Sequence, residues 1–108
     1  MFKMITTAFL TIASVTAAIA QDDAAAKQRL CTNLGGLADA IMEYRQEGLP
    51  ISAAMAALDA DNPVDQAARG LILIAYDTPR FSGEEFQMRA RANFRNEVEL
   101  ACYQKDWD

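Results

Sequence analysis

RLCTNLGGLADAIMEYRQEG, residues 29–48, decides the fold class. Its apolar residues Leu30, Leu34, Leu37, Ile41 and Tyr44 step by four, three, four and three, which lines one face of a helix. Gly48 stops the pattern, and Leu49-Pro50 reinforces the stop because a residue before proline avoids the helical region. Asp22 or Asp23 can cap the other end, so the spacing predicts a helix from about Asp23 to Glu47. Two features cut against a plain helix: Cys31 near its beginning, and the pair Gly35-Gly36 one turn later. Each glycine costs about 1 kcal/mol relative to alanine in a helix, so the pair calls for a packing reason.

The chain has one other cysteine, Cys102. In an exported chain a single Cys31–Cys102 disulfide is the simplest pairing, with two free thiols or an intermolecular bond as the alternatives. Cys31 lies near the start of the first long helix and Cys102 near the end of the last, so a bridge sets those helices antiparallel. That register brings Gly35 opposite Val98, Ala38 near Phe94 and Arg95, and Met42 near Arg91. Bridged Cα atoms stand about 5–6 Å apart, closer than the usual 8–10 Å between packed helix axes. Gly35 and Ala38 then read as clearance. The absence of Cys-x-x-Cys favours a structural bridge over a redox one.

Three further helical segments follow, and no stretch alternates with a period of two. Ser52 is the expected cap of a short helix from Ala53 to about Asp59, anchored by Met55 and Leu58. Asn62-Pro63-Val64-Asp65 is a strong start, with a capping side chain, proline at the first helical position and an acid in the first turn. The third helix runs to about Tyr76 through the apolar run Leu71-Ile72-Leu73-Ile74-Ala75. A buried strand is the rival reading of that run, but the cap and the Ala67-Ala68-Leu71-Ala75 spacing favour a central buried helix. Thr78-Pro79 ends it. Ser82-Gly83-Glu84-Glu85 has the form of a capping box opening a last helix to about Lys105, with Phe86, Ala90, Phe94, Val98 and Ala101 inward. The fold class is all-α, a small bundle of about four helices.

Residues 1–20, MFKMITTAFLTIASVTAAIA, stand apart. Lys3, an uncharged apolar stretch from Met4 to Val15 and the small residues of Ala18-Ile19-Ala20 form a secretory signal with cleavage before Gln21. An uncleaved anchor is the rival, but the run is short against the roughly 20 apolar residues of a span. A lipoprotein signal fits less well, because Cys31 follows Lys27-Gln28-Arg29 instead of closing an apolar run. Residues 21–108 then form a single domain. Lys3 leaves with the signal, so 10 basic and 15 acidic residues become nine and 15, a net charge of −6. Such a chain is a poor partner for nucleic acid or an anionic membrane. A domain this small buries only about 60–65% of its unfolded surface, and an oxidising compartment offers a cross-link in support.

The chain contains no histidine, which removes the commonest general base, zinc ligand and neutral-pH switch. Glu84-Glu85 is explained by the capping box without catalysis. Asp59-Ala60-Asp61-Asn62 lacks the glycine and distal glutamate of a calcium loop and reads as a turn and helix cap. No catalytic residue, metal ligand or cofactor is expected. The candidates for a binding surface are Tyr44, Arg45, Tyr76 and Arg80, each at or just after a helix end, and Arg91 with Arg95, four apart, which can grip an anion. Each has a structural alternative: Tyr76 covering the core, Arg45 bonding the last carbonyls of its helix, and Arg91 and Arg95 pairing with Asp39 or Glu43.

Cys31, Arg45, Gly48, Tyr76, Pro79, Phe94 and Cys102 form a pattern over nearly all of residues 21–108: Cys, a helix ending in Arg-x-x-Gly, an apolar helix closing in Ala-Tyr-x-x-Pro, and a final Cys. In this the chain resembles small exported proteobacterial helical proteins with a cysteine near each end of the domain. The resemblance implies an exported helical fold and brings no activity with it. The expectation is a non-catalytic periplasmic or secreted interaction module for a protein or envelope component, inhibitor- or immunity-like toward a basic partner. The alternatives are a periplasmic stress chaperone, a small-ligand carrier that would need an apolar cavity, and an acid-dependent hydrolase that would need two carboxylates converging in a pocket.

Overall fold

The computed structural model describes the backbone of residues 2–59 and 61–105, and the side chains of residues 23–59 and 61–105. The helices are α1 (Phe2–Glu47), α2 (Ile51–Ala56), α3 (Pro63–Tyr76) and α4 (Glu84–Gln104). Among the described residues there is no strand. The chain divides into residues 1–30 and residues 31–108.

The first unit is helical, and the side chains at the expected cleavage site, residues 18–20, lie outside the described residues. Asp22 and Asp23, expected as caps, are interior to α1. Alanine, the best helix former, fills six of the ten positions from 17 to 26, so nothing in the local sequence stops the helix there. No described helix is long and apolar enough to cross a membrane.

In the second unit, Cys31 and Cys102 are joined by a disulfide with their Cα atoms 5.5 Å apart. Arg91 meets Glu43, Arg95 meets Asp39, and the Glu99 side chain lies against Gly35. As residue numbers rise on α1 they fall on α4, so the two helices are antiparallel, within one residue of the register that the disulfide predicts. A Cβ added to Gly35 would lie 2.5 Å from Cγ of Glu99. The clearance at Gly35 therefore admits the stem of Glu99, not a helix backbone. Gly36 faces open space.

The core is built from Ala38, Ile41 and Met42 of α1, Ala68, Ile72 and Ala75 of α3, and Ala90 and Phe94 of α4. Half of these residues are alanines, and Ala38 and Ala90 sit on the two helices that the bridge joins. The inward side of α1 is Cys31, Gly35, Ala38, Ile41, Met42 and Gln46, which shares Ile41 with the expected stripe and is otherwise rotated from it. Leu30 and Tyr44, expected inward, are exposed.

Asn62 caps α3 as expected, its Oδ1 accepting from the Val64 amide at 2.9 Å. The run Leu71–Ala75 is helical, but α3 is not buried on all sides. Leu73 is 57% and Ile74 56% exposed, because α1 and α4 cover only the Ala68–Ile72–Ala75 face. Two expected caps are absent. α2 begins after Pro50, which lacks a capping side chain, so Ser52 lies inside it. α4 begins after Gly83, again without a side-chain cap, so the Ser82 capping box does not form. Phe86 is exposed too, its ring lying against Gly83 and under Arg89.

Candidate functional site

Four of the residues singled out above meet where α1 ends. A helix leaves its last four carbonyls without helical partners, and here each acquires one. Gly48 adopts φ +90°, the left-handed conformation that glycine takes without a Cβ penalty. The Gly48 amide then donates to Arg45 O at 3.2 Å, and the Leu49 amide to Tyr44 O at 3.1 Å. The other two carbonyls are met from the α3–α4 connection. Arg80 Nε donates to Gln46 O at 2.8 Å and Nη2 to Glu47 O at 3.3 Å. A Cβ on Gly48 would come within 2.9 Å of the Arg80 guanidinium carbon, so glycine is required for its conformation and for its neighbour.

α1 reciprocates. Arg45 Nε donates to Thr78 O at 2.9 Å, and its guanidinium lies over the Tyr76 ring, 5.3 Å from the centroid. Tyr76 in turn donates its hydroxyl to Leu49 O at 2.8 Å. At the centre is Gln46, a polar side chain only 2% exposed. Its Nε2 donates to Pro79 O at 3.0 Å and its Oε1 accepts from the Phe81 amide at 2.8 Å. A buried amide so placed holds a turn that has no secondary structure of its own. Arg45, Gly48, Tyr76 and Pro79 of the sequence pattern thus belong to one interlock, and Arg45, Tyr76 and Arg80 are engaged within the chain. Of the terminal candidates, Tyr44 alone makes no side-chain hydrogen bond among the described residues.

Gln46 was not visible as a site residue, although one signal was present. It lies four positions after Met42, on the stripe that runs through Cys31, Gly35 and Ala38.

Arg91 and Arg95 are also engaged internally. Arg91 Nε bonds Asp39 Oδ1 at 2.7 Å, and its Nη2 stands 3.5 Å from Glu43. Arg95 lies between Asp39 at 3.9 Å and Glu99 at 3.6 Å. The hydrogen bond to Asp39 holds the Arg91 guanidinium above its ordinary value, opposed by partial burial and aided by the charges of Asp39, Glu43 and Glu47. A raised pKa stabilises the fold fully below the unfolded value and loses that contribution only as pH rises through the folded one. Arg91 therefore stays charged, and its contribution flat, across neutral pH.

Two concavities adjoin the α1–α4 pair. Near the interlock, Glu43, Glu47, Glu84, Gln87 and Arg91 line a polar recess of about 380 Å³. Near the disulfide, Leu34, Leu71, Ile74, Val98 and Ala101 line an apolar groove of about 360 Å³ with Glu97 and Lys105 at its edge. The acids of the α2–α3 turn serve the backbone: Asp59 accepts from the Asp61 amide at 3.1 Å, and Asp65 from the Asp59 amide at 2.7 Å. No cluster of described residues is arranged to hold a metal ion.

These features define a class: an all-α protein of four described helices, with its first and last long helices bridged by a disulfide and the far end of the first tied by hydrogen bonds to the close of α3 and the α3–α4 connection. No protein-family model, curated protein or solved structure matches the chain.

Proposed function

We propose that the protein is a small exported helical interaction module, periplasmic or secreted, that binds a basic protein or envelope component without catalysis. The recess lined by Glu43, Glu47 and Glu84 carries this reading. Arg45 and Arg80 are bound to backbone carbonyls, and Arg89, Arg91 and Arg95 to carboxylates. Glu47, Asp61, Asp77, Glu84 and Glu97 have no ion-pair partner among the described residues. The field around the molecule is therefore acidic and steers encounters toward a cationic surface. An inhibitor- or immunity-type role suits such a partner. Export is supported by the apolar segment and small residues of positions 4–20, by a disulfide that persists in oxidising compartments, and by the resemblance to exported proteobacterial proteins.

The same carboxylates favour a second reading, the acid-dependent hydrolase. Against it, Glu47 and Glu84 are exposed and Glu43 is paired with Arg91, so none has the desolvated setting that general acid catalysis draws on. A stress chaperone or a small-ligand carrier would use the apolar groove instead.

The test is capture from an envelope extract on the immobilised, oxidised protein. The expected result is a component released by moderate salt and lost from the Glu47→Lys/Glu84→Lys variant. Capture that resists salt and ignores the charge reversal would overturn the reading.

A further inference from the structure

The apolar groove lies at the opposite end of the α1–α4 pair from the acidic recess, and its chemistry specifies a different occupant. We infer that a second copy of this chain covers it, with the two α4 helices packed antiparallel about Ala101. Leu71, Ile74, Val98 and Ala101 line the groove, Ile74 is more than half exposed, and the neighbouring Leu100 is 57% exposed. Such adjacent apolar surface on a small protein marks an association face.

Charge placement selects the partner. Glu97, Ala101 and Lys105 are spaced four apart along α4 and its C-terminal cap, and all three line the groove. Positions four apart form a single ridge on a helix. A two-fold axis at Ala101 therefore sets Glu97 of each copy against Lys105 of the other, and the small alanine at the crossing lets the helices approach. A parallel arrangement would oppose Glu97 to Glu97. The antiparallel interface is self-complementary, as two-fold symmetry requires. The Lys105 ammonium has three donors, so it can take Glu97 of the second copy together with a partner in its own chain. The two acidic chains repel each other overall. That repulsion is screened beyond about 8 Å at physiological salt, whereas the groove contact is local.

This inference goes beyond the binding role proposed above and does not depend on it, because it leaves the recess of Glu43, Glu47 and Glu84 open. Sedimentation equilibrium of the oxidised protein over a wide concentration range is the test. The parent chain is expected to shift reversibly from monomer to dimer as concentration rises, and more readily at moderate than at low salt. Glu97→Lys or Lys105→Glu alone places like charges in both symmetric pairs and should weaken association about tenfold. The double variant Glu97→Lys/Lys105→Glu should restore it. Far-UV circular dichroism, expected to be unchanged in all three variants, separates loss of dimer from loss of fold. A monomer at every concentration would overturn the inference, whether the groove then takes an acyl chain, a partner helix or nothing. So would single variants that dimerise like the parent, or a double variant that fails to recover.

Discussion

The two ends of the α1–α4 pair are fastened by opposite means. At one end a single covalent bond joins Cys31 to Cys102, among small residues and with an apolar groove beside it. At the other, Arg45, Gln46, Glu47 and Leu49 of one segment and Tyr76, Thr78, Pro79, Arg80 and Phe81 of another exchange hydrogen bonds. The covalent end tolerates a bare surface because its bond does not depend on excluding water. The polar end depends on every partner being present, because a buried amide without one costs more than the bond itself contributes. Arg45, Gln46, Tyr76 and Arg80 thus join a helix end to a loop without a second disulfide.

The largest expected effect comes from removing the covalent end. The bridge spans a sequence separation of 71, and closing such a loop corresponds to about 4.4 kcal/mol in the chain-entropy model, an upper figure. Cys31→Ala/Cys102→Ala should shift the urea midpoint far down, since whole domains are stable by only about 5–15 kcal/mol. An unchanged midpoint would show that the bridge is decorative. Next is Gln46→Leu, which keeps the bulk but strands the Phe81 amide and the Pro79 carbonyl. It should cost about 2–4 kcal/mol in the same titration, from two unsatisfied groups, and a loss under 1 kcal/mol would mean that water replaces the amide. The smallest effect is a contrast between neighbours. Gly36→Ala should stabilise by about 0.5–1 kcal/mol, since its Cβ meets open space. Gly35→Ala should lose that gain because Glu99 must move. Equal responses would show that α1 and α4 do not approach closely there.

The all-α class and the antiparallel register were legible in the sequence. Helical periodicity and one cysteine pair set both, and Gly35 falls opposite Glu99, one residue from the expected Val98. The inward side of α1 was legible in part: Gly35 and Ala38 of the cysteine face and Ile41 of the apolar stripe are buried, whereas Leu30 and Tyr44 are exposed. Hydropathy ranks Leu30 and Tyr44 above Gly35 and Ala38, whereas a bridged helix pair selects for small volume. The exposure of Leu73 and Ile74 escaped for a related reason. A run of five apolar residues suggests burial on every side, but burial needs neighbours, and α2 with six residues is too short to supply one along α3. Arg45, Tyr76 and Arg80 were found as polar residues at helix ends, but their partners are backbone carbonyls about 30 positions away, which no local pattern encodes. Gln46 was hidden by its polarity, although it continues the buried spacing.

The central claim is that the two fastenings act independently, since Cys31 and Gln46 are separated by about 22 Å of helix. A double-mutant cycle tests it directly: unfolding free energies of the parent, Cys31→Ala/Cys102→Ala, Gln46→Leu and the combined variant. Sites this far apart without shared partners should add to within about 0.5 kcal/mol. A combined loss that falls short of or exceeds that sum by more than about 1 kcal/mol would contradict the account and make the two ends a single cooperative joint.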